Sequence, residues 1–219
     1  MAELSSGGAE SSARLCQAAR DAVGMSGAGV MLMSGDLPAG SLCTSGEVSN
    51  LIEELQFTLG EGPCVDAHQK GRVVSEPDLA DPQEPRWLAF TARAVPEGVR
   101  AIFGFPVTVG AARIGALNLY RDSPGPLSDA QHADALVMAQ VIATWVLDVQ
   151  GAAAPGMLAD AIDHGGDFYF LVHNAAGAVS VQLDVSVTEA LIRLRAYAFA
   201  NNRSLLEVAQ DVVARKLRF

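Results

Sequence analysis

Two adjacent β-rich runs, Val99–Val109 and Arg113–Tyr120, are the feature that most limits the fold of this chain. Only Gly110-Ala111-Ala112 separates them, and so short a connection containing glycine joins antiparallel strands in a tight hairpin. Upstream of the hairpin, apolar residues recur at helical spacing, with short strand-like runs between them. A hairpin that closes such a series predicts an antiparallel sheet with helices on its faces, an α+β architecture.

The segments before the hairpin provide the other predicted elements. Residues 1–8 are rich in Ser, Gly and Ala and are predicted to form a disordered tail. In chain order, the pattern predicts a helix over 9–23, a strand over 27–33 with a second short strand after it, a helix over 47–57, a helical turn over 64–69, a strand over 72–75 and a helix over 86–95.

A long apolar helix follows the hairpin, from about Ser128 to Val149, with Ser128 as its cap. The helix is apolar around much of its circumference, so we expect it to be covered on more than one side. The spacing predicts a face toward the sheet and a second face toward a partner subunit, which makes a homodimer through residues 128–149. The first face is Leu136, Ala139, Ala143 and Val146, and the second is Val137, Ile142, Trp145 and Val149.

Charge and cysteine content limit the function. The net charge of −10 argues against a protein coated in basic surface, but residues 171–219 hold six Lys or Arg and four acids, a basic surplus that points to an anionic partner there. The apolar stretch 133–149 is interrupted by polar residues, which predicts no membrane span. Three cysteines without CxxC spacing, no paired histidines and no signal sequence predict a cytoplasmic protein with reduced thiols and no metal site.

The apolar spacing predicts a separate helical domain over residues 167–219. It follows a predicted linker over 151–166 that is rich in Gly and Ala. Its second and third helices begin at capping boxes of the S-x-x-E type, Ser186-Val-Thr-Glu189 and Ser204-Leu-Leu-Glu207. The third helix is predicted to run to about Leu217. Three short helices with tight connections predict a compact all-α bundle.

This tail resembles the ANTAR domain, an RNA-binding antitermination module of bacterial regulators. The resemblance rests on Ala175 and Gly177, Ser186-x-x-Glu189-Ala190, Leu194-Arg195-x-x-Ala198, Asn202-Arg203 and Leu205-x-x-Val208-Ala209. It implies binding to RNA stem-loops with exposed loop bases. The candidate RNA-binding residues are Asn174, Gly177, Arg193, Arg195, Tyr197 and Arg203, although Gly177 could instead serve helix packing and Tyr197 could be a core edge. Ala176 stands where the family usually has lysine, which removes an expected phosphate contact.

Residues 9–150 resemble a GAF domain, through Thr58-Leu-Gly-Glu-Gly-Pro-Cys-Val-Asp-Ala67 and Ile114-Gly-Ala-Leu-Asn-Leu-Tyr120. The resemblance implies an α+β sensor with a small-molecule pocket between the sheet and its covering loops. Cys64, Phe103 and Phe105 are the candidate pocket residues, and the ligand and any cofactor stay unassigned.

The combined resemblances predict a signal-responsive, non-enzymatic regulator with a GAF input and an ANTAR output that promotes transcription antitermination. Two alternatives remain open. One is a GAF-fold thiol enzyme of the free methionine sulfoxide reductase kind, with Cys64 as the reactive thiol and Cys43 as its partner. The other is a protein-interaction module that binds no RNA.

Overall fold

The computed structural model describes residues 3–35, 37–152, 166–201 and 203–219. The chain divides into two compact units, Met1–His164 and Gly165–Phe219. Most of the predicted linker, residues 153–165, lies outside the described residues.

The first unit is a five-stranded antiparallel sheet with helices, which confirms the predicted α+β architecture. The strand order is β2-β1-β5-β4-β3. The helix α1 begins inside the segment predicted to be a disordered tail. The elements are α1 Glu3–Val23, β1 Gly27–Ser34, β2 Leu37–Thr44, α2 Glu47–Leu59, α3 Pro63–Lys70, β3 Val74–Glu76, α4 Leu88–Ala94, β4 Ala101–Val109, β5 Ala112–Arg121 and α5 Asp129–Ala152.

The predicted hairpin is present and forms the centre of the sheet. Strands β4 and β5 pair antiparallel from Ala101 opposite Arg121 to Val109 opposite Ala112. Gly110 makes the turn with a φ of 58°, a left-handed conformation that glycine adopts without steric cost. Strand β1 pairs with the other side of β5, so β5 is hydrogen-bonded along both edges.

The two faces of the sheet carry different chemistry. One face packs against α1 and α5 and is apolar, with Val30, Phe103 and Leu117 fully buried in this core. Alternate residues of the same strands point to the opposite face, which α2 and α3 cover. That second face includes the small residue Gly104 and the buried polar residue Asn118.

Helix α5 packs one face against this core, through Ala135, Ala139, Ile142, Ala143 and Val146. Two of the predicted positions are wrong. Leu136 was predicted to face the sheet but is 47% exposed, whereas Ile142, predicted to face a partner subunit, is fully buried. The buried stripe is therefore rotated slightly from the predicted one, because apolar residues on both faces leave the helical phase poorly determined.

Among the described residues, the stretch Asp129–Val149 of α5 is long and apolar enough to span a membrane, with a mean hydropathy of 1.3. The pair Tyr169–Leu183 and Val187–Ala200 passes the same test only jointly and is bent by 105°. A core helix satisfies such a test on composition alone, and the inner face of α5 packs on the sheet.

Cys16 and Cys43 form a disulfide between α1 and β2, which corrects the prediction of reduced thiols. Both residues are fully buried, and their Cα atoms lie 5.9 Å apart. The pairing follows from the packing of α1 against the β1–β2 edge of the sheet. A sequence separation of 27 residues carries no sign of that packing.

The second unit contains the three predicted helices, α6 Gly166–Leu183, α7 Val187–Ala200 and α8 Leu205–Val213. The Ser204 hydroxyl accepts from the Glu207 N–H at 3.1 Å, and the Glu207 carboxylate accepts from the Ser204 N–H at 3.1 Å, so this capping box is complete. Ser186 accepts from the Glu189 N–H at 3.1 Å. Both predicted helix starts are confirmed.

The third helix ends at Val213, four residues before the predicted end at Leu217. Arg215 adopts a left-handed φ of 59°, and the N–H of Lys216 donates to the carbonyl of Asp211 at 2.8 Å. This is the pattern of a helix whose C-terminus turns back on itself. The apolar spacing alone does not predict it, because Arg215 is not a residue that usually takes this conformation.

Candidate functional site

Four polar side chains are buried together between the sheet and helices α2 and α3. Glu53, Gln56 and Cys64 have no exposed surface, and Asn118 is 1% exposed. The Asn118 amide donates to Glu53 Oε1 at 3.4 Å, and the Cys64 N–H donates to Gln56 Oε1 at 2.7 Å. The Cys64 thiol points at the carbonyl of Ala116 at 3.9 Å. We call these four residues the buried polar cluster.

Helix and strand packing place these groups. Glu53 and Gln56 are three residues apart on α2, which puts them on one side of that helix. Cys64 is the second residue of α3, where Pro63 begins the helix after the left-handed Gly62. Asn118 lies on β5 between Leu117 and Leu119, whose side chains enter the opposite core.

The space around the buried polar cluster is filled by side chains. A Cβ atom at Gly29 would lie 2.7 Å from Glu53 Oε1, and one at Gly62 would lie 2.6 Å from Gln56 Cγ. A Cβ atom at Gly104 would overlap the backbone carbonyl of Pro63. Glycine at these positions lets strands β1 and β4 approach the helices closely. The cluster is therefore closed in this structure.

Burial changes the protonation of the cluster. Desolvation raises the pKa of Glu53 to about 8, against a usual value of 4.5, and the hydrogen bond from Asn118 opposes the shift only in part. Glu53 is therefore mostly neutral at pH 7. Three cluster atoms, Glu53 Oε2, Gln56 Nε2 and Asn118 Oδ1, have no hydrogen-bond partner among the described residues.

The second unit carries the predicted RNA-binding residues on several surfaces. Asn174 is exposed on α6, and a Cβ atom at Gly177 would meet nothing within 4 Å. Packing therefore does not require glycine at this position, so close helix packing does not explain Gly177. Ala176 is fully buried, so a lysine at this position would start from the bundle interior rather than from its surface.

Two of the predicted arginines are already paired with acids. Arg193 donates to Glu189 at 2.5 Å, one helical turn away, and Arg203 donates to Asp211 at 2.7 Å. Arg195 is partly buried, and desolvation lowers its pKa to about 10, so it stays cationic at neutral pH. The structure therefore does not bring the three arginines together as one free basic surface.

Tyr197 is partly exposed and packs against the C-terminal residue Phe219, with ring centroids 5.2 Å apart. The N–H of Phe219 donates to Gln182 Oε1 on α6 at 2.9 Å. Gln182 and Asn174 line a groove of about 510 Å³ together with Ala178, Val212, Val213, Arg215 and Arg218. We call it the α6–α8 groove. Sequence reasoning missed Arg215 and Arg218, because the prediction placed them in or beyond a continuous helix.

The sequence model of the GAF domain matches residues 10–144 of this chain, well over half of its length. The chain belongs to the GAF domain family. Its first unit is hereafter the GAF unit, and the family match confirms that part of the sequence prediction. No curated protein matches the sequence.

Solved structures agree on the fold of the GAF unit. A domain of a two-component sensor histidine kinase protein from Sinorhizobium meliloti 1021 superposes with a TM-score of 0.53 at 18% identity, covering 65% of this chain and 92% of that one. The type II free methionine-R-sulfoxide reductase from Thermoplasma acidophilum superposes with a TM-score of 0.53 at 20% identity, covering 67% of this chain and 96% of that one. The free methionine-R-sulfoxide reductase from Neisseria meningitidis superposes with a TM-score of 0.51 at 16% identity, covering 67% of this chain and 81% of that one.

The cysteines of the GAF unit do not fit the thiol-enzyme alternative. Cys43 is bonded to Cys16 and so does not serve as the partner of Cys64. Burial, together with the nearby Glu53, raises the pKa of the Cys64 thiol well above its usual value. A reactive cysteine needs thiolate character and access to solvent, and Cys64 has neither.

Phe103 and Phe105 lie on the face of the sheet opposite to Cys64. Both are fully buried in the core with α1 and α5, and the Phe105 ring lies 5.4 Å from the ring of His132 on α5. The three predicted pocket residues are therefore not brought together, because successive strand residues alternate between faces. Asn118 could have been recognised from sequence as a polar residue in a run that is apolar on both faces.

No group of three or more His, Cys, Asp or Glu residues in the described part of the chain could hold a metal ion. His68 is buried on α3, with Nε2 2.8 Å from the carbonyl of Gly35.

Proposed function

We propose that this protein is a non-enzymatic regulator that senses a signal through its GAF unit and binds RNA stem-loops through an ANTAR-type C-terminal unit, promoting transcription antitermination. The observation that carries the proposal is a separate three-helix unit, Gly165–Phe219, over the segment that resembles the ANTAR domain. The GAF unit is the sensory part.

The surface of the C-terminal unit supports RNA as its ligand. Tyr197 offers a partly exposed ring beside Phe219, and unpaired bases stack on such rings. A Cβ atom at Gly177 would meet open space, so the glycine leaves room for close approach of a nucleic-acid backbone. The unit also holds the basic surplus of an otherwise acidic chain.

The test is a binding measurement between the full chain and RNAs with two stem-loops. A pool with randomised loops is enriched for binding, and the affinity of the enriched RNA is measured in about 0.05 M salt, where phosphate contacts are strong. Tyr197→Ala should weaken binding by about 5- to 150-fold, because stacking of one base on an aromatic ring is worth about 1–3 kcal/mol.

The chain offers matched controls. Phe199 is on the same helix and 81% exposed, but it points away from Tyr197, so Phe199→Ala should leave the affinity unchanged. Tyr197→Phe keeps the ring and should bind nearly as well as the wild type. Failure to enrich any RNA would refute the proposal and favour the protein-interaction module.

The buried polar cluster is the proposed input site. Three of its atoms have no hydrogen-bond partner within the described ranges of the chain, and each buried polar atom left without one costs about 1–3 kcal/mol. A small polar ligand that displaces the Glu53 or Gln56 side chain would satisfy these atoms. Because the cluster is closed, such binding must move α2 relative to the sheet, which gives the signal a structural effect.

The proposed oligomer is a homodimer through α5. Outside the buried face of α5, the side chains of Val137 and Val141 are 60% and 44% exposed. These two residues and Trp145 line a shallow groove with a volume of about 470 Å³. A stripe of this kind fits a second copy of itself around a two-fold axis. Val137→Asp with Val141→Asp should give a monomer by light scattering, whereas Leu88→Asp, at an exposed apolar residue on α4, should not.

A further inference from the structure

The residues that line the α6–α8 groove include cationic and amide side chains and no carboxylate side chain. Arg215 and Arg218 come from the turn after α8, and Asn174 and Gln182 come from one face of α6, eight residues apart. The remaining lining residues are Ala178, Val212 and Val213, which are small or apolar. Guanidinium groups bind phosphate oxygens, and amides pair with base edges or sugar hydroxyls.

Three of the acids of the second unit are engaged outside the groove, and a fourth, Asp184, is exposed just after α6 and does not line the groove. Glu189 binds Arg193, Asp211 binds Arg203, and Glu207 accepts from the Ser204 N–H in the capping box. Neither Arg215 nor Arg218 makes an ion pair in the part of the chain that the structure describes. Arg215 and Arg218 are therefore available to attract an anion, whereas Arg193 and Arg203 are each paired with an acid.

The turn after α8 places Arg215 and Arg218 at the groove. Arg215 has a left-handed φ of 59°, which reverses the chain and returns Arg218 toward α6. A left-handed arginine costs about 1 kcal/mol compared with glycine. The fold therefore keeps a cation at a position where glycine would be more stable.

We infer that the α6–α8 groove binds the phosphodiester backbone of RNA, with Arg215 and Arg218 contacting adjacent phosphates and Asn174 and Gln182 donating to the same nucleotides. The inference rests on the proposed RNA-binding function and assigns its phosphate contacts. Phe219 joins the groove to Tyr197, because its N–H binds Gln182 and its ring packs on Tyr197. One strand of RNA can therefore occupy the groove while a base stacks at Tyr197.

The experiment measures the salt dependence of binding. The probe is the two-stem-loop RNA enriched with the wild-type full chain, and the variant is Arg215→Gly with Arg218→Gln. Each phosphate contact to single-stranded RNA contributes about 0.7 to the slope of log affinity against log salt, so the slope should fall by about 1.4. At about 0.1 M salt this corresponds to roughly 25-fold weaker binding.

Several controls separate the outcomes. Glycine suits the left-handed backbone at residue 215, so the variant should stay folded by circular dichroism. Gln182→Glu keeps the acceptor for Phe219 and adds a negative charge to the groove, so it should also weaken binding. Arg93→Gln removes an exposed cation from α4 and should change neither affinity nor slope.

Unchanged affinity and slope in the Arg215→Gly, Arg218→Gln variant would overturn the inference and leave the proposed function intact. An equal loss in Arg93→Gln would also overturn it, because the effect would then reflect total charge. If the wild-type chain enriches no RNA, the proposed function itself fails.

Discussion

Replacing Glu53 with glutamine should remove a large pH dependence from the stability of the GAF unit. The pKa of Glu53 is about 8 in the folded chain, against a usual value of 4.5, because burial disfavours its charged form. The folded state therefore holds a proton that the unfolded state releases between these two values. The sign follows: stability is greatest below about pH 4.5 and is lost as the pH rises to about 8.

The magnitude comes from the same two pKa values. Each pKa unit is worth about 1.4 kcal/mol, so the complete loss is about 5 kcal/mol. Between about pH 5.5 and about pH 8.5 the wild-type free energy of unfolding should fall by about 3 kcal/mol more than that of Glu53→Gln. Glutamine keeps the oxygen that accepts from Asn118 and cannot ionise.

The assay is urea unfolding followed by tryptophan fluorescence across this pH range. Both tryptophans, Trp87 and Trp145, lie in the GAF unit, so the signal reports that unit alone. Glu54→Gln is the matched control, because Glu54 is the next residue on α2 and accepts from Asn50 at the less buried side. The reasoning about Glu53 is refuted if the wild type and Glu53→Gln lose stability in parallel.

Three further changes test other parts of the structure. Gly104→Ala should destabilise the GAF unit by about 1–3 kcal/mol in urea unfolding, because its Cβ overlaps the Pro63 carbonyl. Gly177→Ala should stabilise α6 by about 1 kcal/mol in amide hydrogen exchange, since its Cβ meets open space, and a destabilised helix would contradict this reasoning. Cys16→Ala with Cys43→Ala should lower the free energy of unfolding by about 3–4 kcal/mol, the loop entropy of the disulfide, whereas wild-type protein in reductant should match the variant.

Local signals in the sequence predicted the elements well. The connection at Gly110 predicted the hairpin, and the serine boxes at Ser186 and Ser204 predicted two helix starts to the residue. Each of these signals acts within four residues, through a turn conformation or a cap hydrogen bond. Interactions between residues this close along the chain can be predicted from the local sequence alone.

The errors concern information that depends on tertiary packing. Phe103 and Phe105 were correctly placed on a strand, but their face depends on which helices cover each side of the sheet. The Cys16–Cys43 pairing depends on how α1 meets β2. The ion pairs of Arg193 with Glu189 and of Arg203 with Asp211 also form in the folded unit and are not predicted by the residue types alone, whereas the predicted RNA contacts of these arginines stay predictions.

The proposed input role of the buried polar cluster depends on how its polar groups weaken the closed packing. Desolvation keeps Glu53 protonated at neutral pH, and three neighbouring polar atoms have no partner, so an apolar packing of the same space would be more stable. A ligand shifts a conformational equilibrium only by its difference in affinity for the two states. Allosteric coupling is typically about 1–3 kcal/mol, and satisfying one or two of these buried atoms provides that much. Under the proposed function, the groups that weaken the packing between α2 and the sheet are therefore the ones through which a polar ligand would change the fold.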